Sequence, residues 1–314
     1  MDNLTHSLVG ALLGQMGLKR KTGLAMPTLI IAANIPDIDA VTVLLGGQRH
    51  LAIRRGITHG PIAMVLLPLL LWGAMLWFDR WQTKRGTRPE ERLPVHNGWL
   101  LALAVIGCLS HLLFDWFNSY GVRLLEPFSS QWFYGDTLFI IDPWIWIALI
   151  AGVWLSLRRE RRGARNWRVL AVVSFGAICA YILANGLITG RAEALATESV
   201  RRQHDSVPYL VVANPVPVQF WKREMLWRSP MVYGSGHYSW FEGLKMDNAP
   251  LRHNAESWVL SPTQDELRDF NAFLVWTRMP VFERRGDRLI VTDQRFNDEL
   301  TKDRFKVDVG AAVQ

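Results

Sequence analysis

Six residues with metal-ligand chemistry stand where the surrounding sequence is apolar: His6, Asp37, Asp39, His59, His111 and Asp115. His6 interrupts the apolar segment 4–18, and Asp37 and Asp39 follow Pro36 at the end of segment 22–36. His59 immediately precedes the run 61–79, while His111 and Asp115 occupy the last turn and a half of the run 98–117. An aspartate at mid-bilayer costs at least about 2.5–3.5 kcal/mol on insertion scales, so such residues need a purpose. Imidazole nitrogen and carboxylate oxygen together suit zinc, and also manganese, as one ion or two. His111 and Asp115 are four apart and project from one face of a helix. Asp37-Ile38-Asp39 follows a proline, where an extended Asp-x-Asp would direct both carboxylates to one side. One of them would then be able to bridge two ions, and either Asp37 or Asp39 left off the metal would accept a water proton. Arg54 and Arg55, just before Gly56-Ile57-Thr58-His59, supply a cation for a phosphate-like oxyanion.

Each residue also has an ordinary reading. His6 can be a polar chain start, Asp37 and Asp39 a helix-end turn, and His59 an interfacial loop residue. His111 and Asp115 can be an intrahelical hydrogen-bonded pair that eases their burial. Asp142-Pro143 reads as a cap with proline at the first helical position. His50, His96, His204, His237 and His253 have no matching partners nearby and read as surface or structural. Gly10 and Gly14 form G-x-x-x-G, which favours close helix packing. Taken jointly, four elements of ligand type at corresponding ends of apolar segments point to a metal centre more strongly than any one of them.

The elements that must position these residues follow from composition. The chain has 314 residues, 50% hydrophobic and only 20% charged, with 15 Trp. That balance leans toward a membrane protein and excludes disorder for the bulk of the chain. Cys108 and Cys179 both lie in apolar runs, which excludes a disulfide scaffold. Residues 1–190 hold 18 Lys/Arg against 11 Asp/Glu, whereas 191–314 hold 17 of each, so the whole net +7 lies in the first part. The arginines cluster between apolar runs, as topology requires, and no nucleic-acid partner is expected.

Four runs, 61–79, 98–117, 138–157 and 167–189, are each long enough for a bilayer core of about 30 Å. Segments 4–18 and 22–36 predict a shorter helical pair at the N-terminus. A cleaved signal peptide is not expected, since Met1-Asp2-Asn3 has no basic start. Trp77, Trp81, Trp99, Trp116, Trp144 and Trp167 lie near run ends, as interfacial aromatics do. Three connectors carry 14 Lys/Arg, from Lys19–Lys21, Arg80–Arg92 and Arg158–Arg168, while connectors 37–60 and 118–137 carry four. The positive-inside bias puts the rich connectors in the cytoplasm and the His/Asp residues at the outer face. The predicted fold is therefore an α-helical membrane domain over 1–190 followed by a small β-rich or α+β soluble domain over 191–314. Tyr209–Val212, Val216–Trp221 and Arg288–Thr292 read as short strands. A helix is predicted over about 264–276, capped by Thr263 with Glu266 completing a capping box.

Read together, Leu4-Thr5-His6 with Gly10, Pro36-Asp37-Ile38-Asp39, Arg55-Gly56-Ile57-Thr58-His59 and His111-Leu-Leu-Phe-Asp115 resemble the YdjM-like family of inner-membrane metal-dependent hydrolases. Asn118-Ser-Tyr-Gly121 and Pro127-Phe128 are similar to the family pattern as well. The resemblance covers roughly 1–190 and implies His6, Asp37, Asp39, His59, His111 and Asp115 as metal ligands. The chain has Thr58-His59-Gly60 where many members have Thr-His-Ser, so a hydroxyl is missing. The His-x-x-x-Asp element is also similar, more distantly, to that of zinc-dependent phospholipase C, which implies phosphoester cleavage. The expected protein is thus a membrane-bound hydrolase with Asp37, Asp39 and Arg55 as catalytic groups, its partners being membrane lipids and a lipid-linked or phosphoester substrate. One alternative is a transporter or channel, although a transport path needs polar groups along the whole crossing. Another is a non-catalytic anchor for the C-terminal domain.

Overall fold

The computed structural model describes residues 1–204, 207–247, 251–252, 259–296 and 304–313, which form two compact units. The first comprises Met1–Ile38 and Arg55–Gly186; the second comprises Asp39–Arg54 and Leu187–Gln314. His253 lies outside the described residues.

The first unit is helical. Helix α1 (Asn3–Gln15) is capped by Asp2, whose carboxylate accepts from the Thr5 amide at 3.0 Å. Helix α2 (Ala25–Ala32) is short and continues, after a bend of 42°, into a 3-10 segment over Ile35–Leu45. Helices α3 (Pro61–Lys84), α4 (Asn97–Trp116), α5 (Pro143–Arg161) and α6 (Val169–His204) follow. Small residues set how closely they approach. A Cβ at Gly10 would lie 2.7 Å from the Leu29 carbonyl oxygen, and one at Gly14 would strike Met26. A Cβ at Gly107 of α4 would lie 2.4 Å from that of Ala32 and 3.1 Å from the same Leu29 carbonyl oxygen. The predicted G-x-x-x-G pair is therefore the seat of α2 on α1, and Gly107 plays the same part for α4. Leu29, Leu103 and Ala25 are buried along this seam.

Among the described residues, three helices are long and apolar enough to cross a membrane: α3, α4 and α6 over Val169–Gln203. The bent pair of α2 and its 3-10 extension adds a fourth if taken as one span. The set differs from the four predicted runs. The run 138–157 turns helical only at Pro143, because Asp142 accepts from the amides of Trp144 and Ile145 and starts the helix there. The 19 residues of α5 then end on Arg158, Arg159 and Arg161, too many charges for an apolar window of bilayer length. Helix α6 runs 36 residues, well past the predicted end at 189. No proline stands between Gly190 and Pro208, and the good helix formers of Arg191–Gln203 carry the helix on.

The second unit is built from two antiparallel sheets. One is ordered β1 (Leu210–Pro215), β2 (Lys222–Arg228), β3 (Val232–Ser239), β4 (Gly243–Met246), with β5 (Leu251–Arg252) pairing on β3. The other is ordered β6 (Val259–Ser261), β9 (Lys306–Val313), β8 (Arg288–Asp293), β7 (Pro280–Arg285). The predicted strands at 209–212 and 288–292 correspond to β1 and β8. Val216–Trp221 is a turn instead, since Pro217 lacks a ladder donor and Val218 is left-handed at φ 66°. Helix α7 (Gln264–Trp276) starts at the predicted capping box of Thr263 and Glu266. Trp276 stacks on Phe296 and Phe305 in the core. Residues 39–54 belong to this unit. Arg49 pairs with Asp265 at 2.7 Å and Asp269 at 3.2 Å on α7, and Gln48 donates to the Lys306 carbonyl at 3.0 Å.

Candidate metal centre

Four buried residues of the first unit bring one ligand atom each to within 4.8 Å of all the others: Asp37, His59, His111 and Asp115. They come from one end of the helices. Asp37 follows the bend after α2, His59 ends a short 3-10 turn just before Pro61 starts α3, and His111 and Asp115 sit in the last turns of α4. Nε2 of His59 lies 3.1 Å from Nε2 of His111. Both of these atoms are 3.4 Å from Asp115 Oδ2, and His111 Nε2 is 3.9 Å from Asp37 Oδ1.

The spacings among His59, His111 and Asp115 fit a shared ion, and Asp37 stands slightly wider. Zinc binds nitrogen and oxygen at about 2.0–2.2 Å, so neighbouring ligand atoms in a tetrahedron stand roughly 3.3–3.5 Å apart. The protonation pattern agrees. His111 Nδ1 is 2.7 Å from the Ala33 carbonyl oxygen, which can only accept, so Nδ1 carries a proton and the lone pair of the neutral ring is the one at Nε2. Asp115 Oδ2 lies 3.4 Å from that atom and has no hydrogen-bond partner among the described residues. Two buried lone-pair carriers at this distance repel unless a cation or a proton lies between them. On the outer side of the His59 ring, Nδ1 is 2.9 Å from the Thr58 hydroxyl.

The other carboxylate oxygen of Asp115 is held in place. Arg55 Nη2 lies 2.9 Å from Asp115 Oδ1, and Nη1 donates to Asn118 Oδ1 and the Gly121 carbonyl, each at 3.1 Å. The backbone nitrogen of Met1 also contacts Oδ1. The Tyr120 ring covers the guanidinium at 4.7 Å. Arg55 adopts a left-handed backbone at φ 51°, a conformation that persists only where the surroundings enforce it. Sequence reasoning assigned no role to Asn118, whose signal was its place beside Tyr120 in the Asn-Ser-Tyr-Gly stretch. Its Oδ1 also accepts from the Tyr120 amide at 2.9 Å and so ties the loop after α4 to Arg55.

His6 adjoins the group without being one of the four. Its ring stacks on His111 with centroids 3.9 Å apart, and its Nε2 is 3.3 Å from Asp115 Oδ1. Asp39 and Arg54 belong to the second unit, where they pair with each other at 3.6 Å. The pairing of Asp37 with Asp39 assumed an extended segment. The backbone there is a 3-10 helix of three residues per turn, which sends residues two apart in directions about 120° different. Gly60 accounts for the departure from Thr-His-Ser, since a Cβ there would lie 1.8 Å from the Glu126 carbonyl oxygen. Asp142 serves as a cap, as predicted, and accepts from the Tyr181 hydroxyl at 3.0 Å.

Apolar helices of bilayer length, with a buried His/Asp cluster at one end of them, define a membrane protein able to hold a metal ion at the edge of its spans. The chain belongs to the family of the YdjM inner membrane protein, whose family model matches residues 1–192. It is also similar to the uncharacterized protein YfhP of Bacillus subtilis (strain 168), at 25% identity over 161 residues. That match takes in 49% of this chain and spans 45% of the length of YfhP. No solved structure matches the chain.

Proposed function

We propose that this protein is a membrane-bound, metal-dependent hydrolase whose site opens at the outer, periplasmic face of the inner membrane. The observation that carries the proposal is the convergence of Asp37, His59, His111 and Asp115 on one buried point. A donor set of two imidazoles and two carboxylates suits zinc first and manganese second. A divalent ion bound there would bring the pKa of a coordinated water toward neutrality and polarise the scissile group.

The side chains supply the rest. Thr58 and the Ala33 carbonyl fix the rings of His59 and His111, so their Nε2 atoms need no reorganisation on binding. Arg55 orients Asp115 and brings positive charge beside it, which favours an anionic substrate. Asp37 stands wider than the other three, at 3.9 Å from His111 Nε2; left off the ion, it would yield the fourth position to water and accept that water's proton. A phosphoester on a lipid-linked substrate is the class we favour, because it carries the anion to headgroup depth.

Elemental analysis of the purified full-length protein, joined to a screen of phosphodiester and lipid-linked phosphoester substrates, tests this reading. The parent should hold about one equivalent of zinc or manganese and turn over one of these classes. His111→Ala should lose both while keeping its helical content and elution volume. Metal content and turnover unchanged in that variant would remove the centre from the reaction.

A further inference from the structure

The end of the helical unit that carries the arginine-rich connectors holds a cavity of about 420 Å³, lined in part by Lys19, Arg20, Arg92, Leu24, Pro27 and Leu93. The cluster residues follow the C-terminal end of α2, whereas this cavity surrounds its N-terminal end. Its cations are only partly neutralised. Lys19 and Arg20 share Glu160, and Arg92 shares Asp79 at 3.2 Å with Arg88, which lies outside the lining, so each carboxylate is divided between two cations. Leu24 stands at the N-cap of α2 in a left-handed conformation and offers no side-chain cap. The first-turn amides of α2 are therefore left to other acceptors, and Ala25 and Met26 line the cavity. Two tryptophans mark the level of the membrane interface beside it. Lys19, Arg20 and Arg168 lie over the Trp167 ring at 4.7–5.1 Å, and Lys21 lies over Trp99 at 4.8 Å.

We infer that this cavity binds the phosphate of an anionic phospholipid, with the glycerol and upper acyl chain against Leu24, Pro27 and Leu93. A soluble phosphate would use the cations and the helix terminus but has no use for an apolar wall. A lipid headgroup uses both, and it is already present at this depth.

Native mass spectrometry of the full-length protein in mild detergent, titrated with phosphatidylglycerol or phosphatidylcholine, tests the site. Phosphatidylglycerol should bind at least tenfold more tightly. Arg20 is 56% exposed at its side chain, so Arg20→Gln should fold normally and weaken that binding about fivefold. Lys19→Gln should act in the same direction. Arg159→Gln, an exposed arginine of α5 that does not line the cavity, should change it less than twofold. Equal affinity for the two lipids, or equal losses in Arg20→Gln and Arg159→Gln, would reduce the effect to surface charge and overturn the site. Displacement of phosphatidylglycerol by equimolar inorganic phosphate would overturn the lipid assignment.

Discussion

Nδ1 of His111 donates a hydrogen bond to the Ala33 carbonyl, and Arg55 occupies one oxygen of Asp115, so the remaining ligand atoms have a single direction in which to act. The partners behind the ligands should therefore matter nearly as much as the ligands. Arg55→Lys keeps the charge but loses the planar fork that reaches Asp115, Asn118 and Gly121 together. It should weaken metal affinity by about 10–100-fold, measured by competition with a chelator. Gly60→Ser would install the hydroxyl of Thr-His-Ser against the Glu126 carbonyl. We expect a loss of about 1–3 kcal/mol and reduced metal content, read by thermal unfolding and elemental analysis. In the second unit, burial opposes ionisation of Asp293, but the Arg295 guanidinium and the Thr277 hydroxyl outweigh it and hold the pKa at about 2. The folded state thus keeps this charge at a pH where the unfolded chain has taken up a proton. The stabilisation, about 2 kcal/mol, is complete above about pH 4 and is lost as pH falls through 2. Unfolding of Asp293→Asn should lack that acid slope. At this scale the His111–Asp115 spacing and the residue types of the centre were legible in the sequence. The relative direction of Asp37 and Asp39 was not legible, because which way two alternate carboxylates point depends on a backbone winding that their spacing does not reveal.

Helix packing decides whether the ligands meet at all. Gly10 of α1 and Gly107 of α4 both rest against α2 at Leu29, which draws His6, His111 and the segment leading to Asp37 together. Gly107→Leu would force α4 away from Ala32 without touching a ligand. Its metal content should fall below a tenth of the parent's while circular dichroism still reports helix, and full occupancy would show that the contact is not what assembles the centre. Helix α7 offers a control in the other unit. Thr263→Ala removes the cap of a helix far in sequence from the ligands and should cost about 1 kcal/mol with no change in bound metal. Capping boxes and the Asp142-Pro143 start were readable because they are local patterns. The length of α6 was not, since a change from apolar to charged residues resembles the end of a helix when only the membrane part is sought.

At the scale of the whole chain, the basic connectors and the His/Asp cluster belong to opposite ends of the same helices, so one topology accounts for both. A reporter fused after Gln314 should be active outside the cytoplasm; activity inside would reverse the proposed orientation and put the centre on the cytoplasmic side. The sequence by itself determined that residues 1–190 are apolar helix with charge gathered in alternate connectors, and which residue types stand at one end. These are properties of composition and spacing along a chain in a bilayer. Only the tertiary structure decided that Asp37, His59, His111 and Asp115 face one point while Asp39 and Arg54 pair in the other unit. It also decided that 39–54 packs with α7. Ligands separated by up to 78 positions are brought within a few ångströms by glycine-permitted helix contacts and the hand of a 3-10 turn, and neither leaves a periodic mark on the sequence.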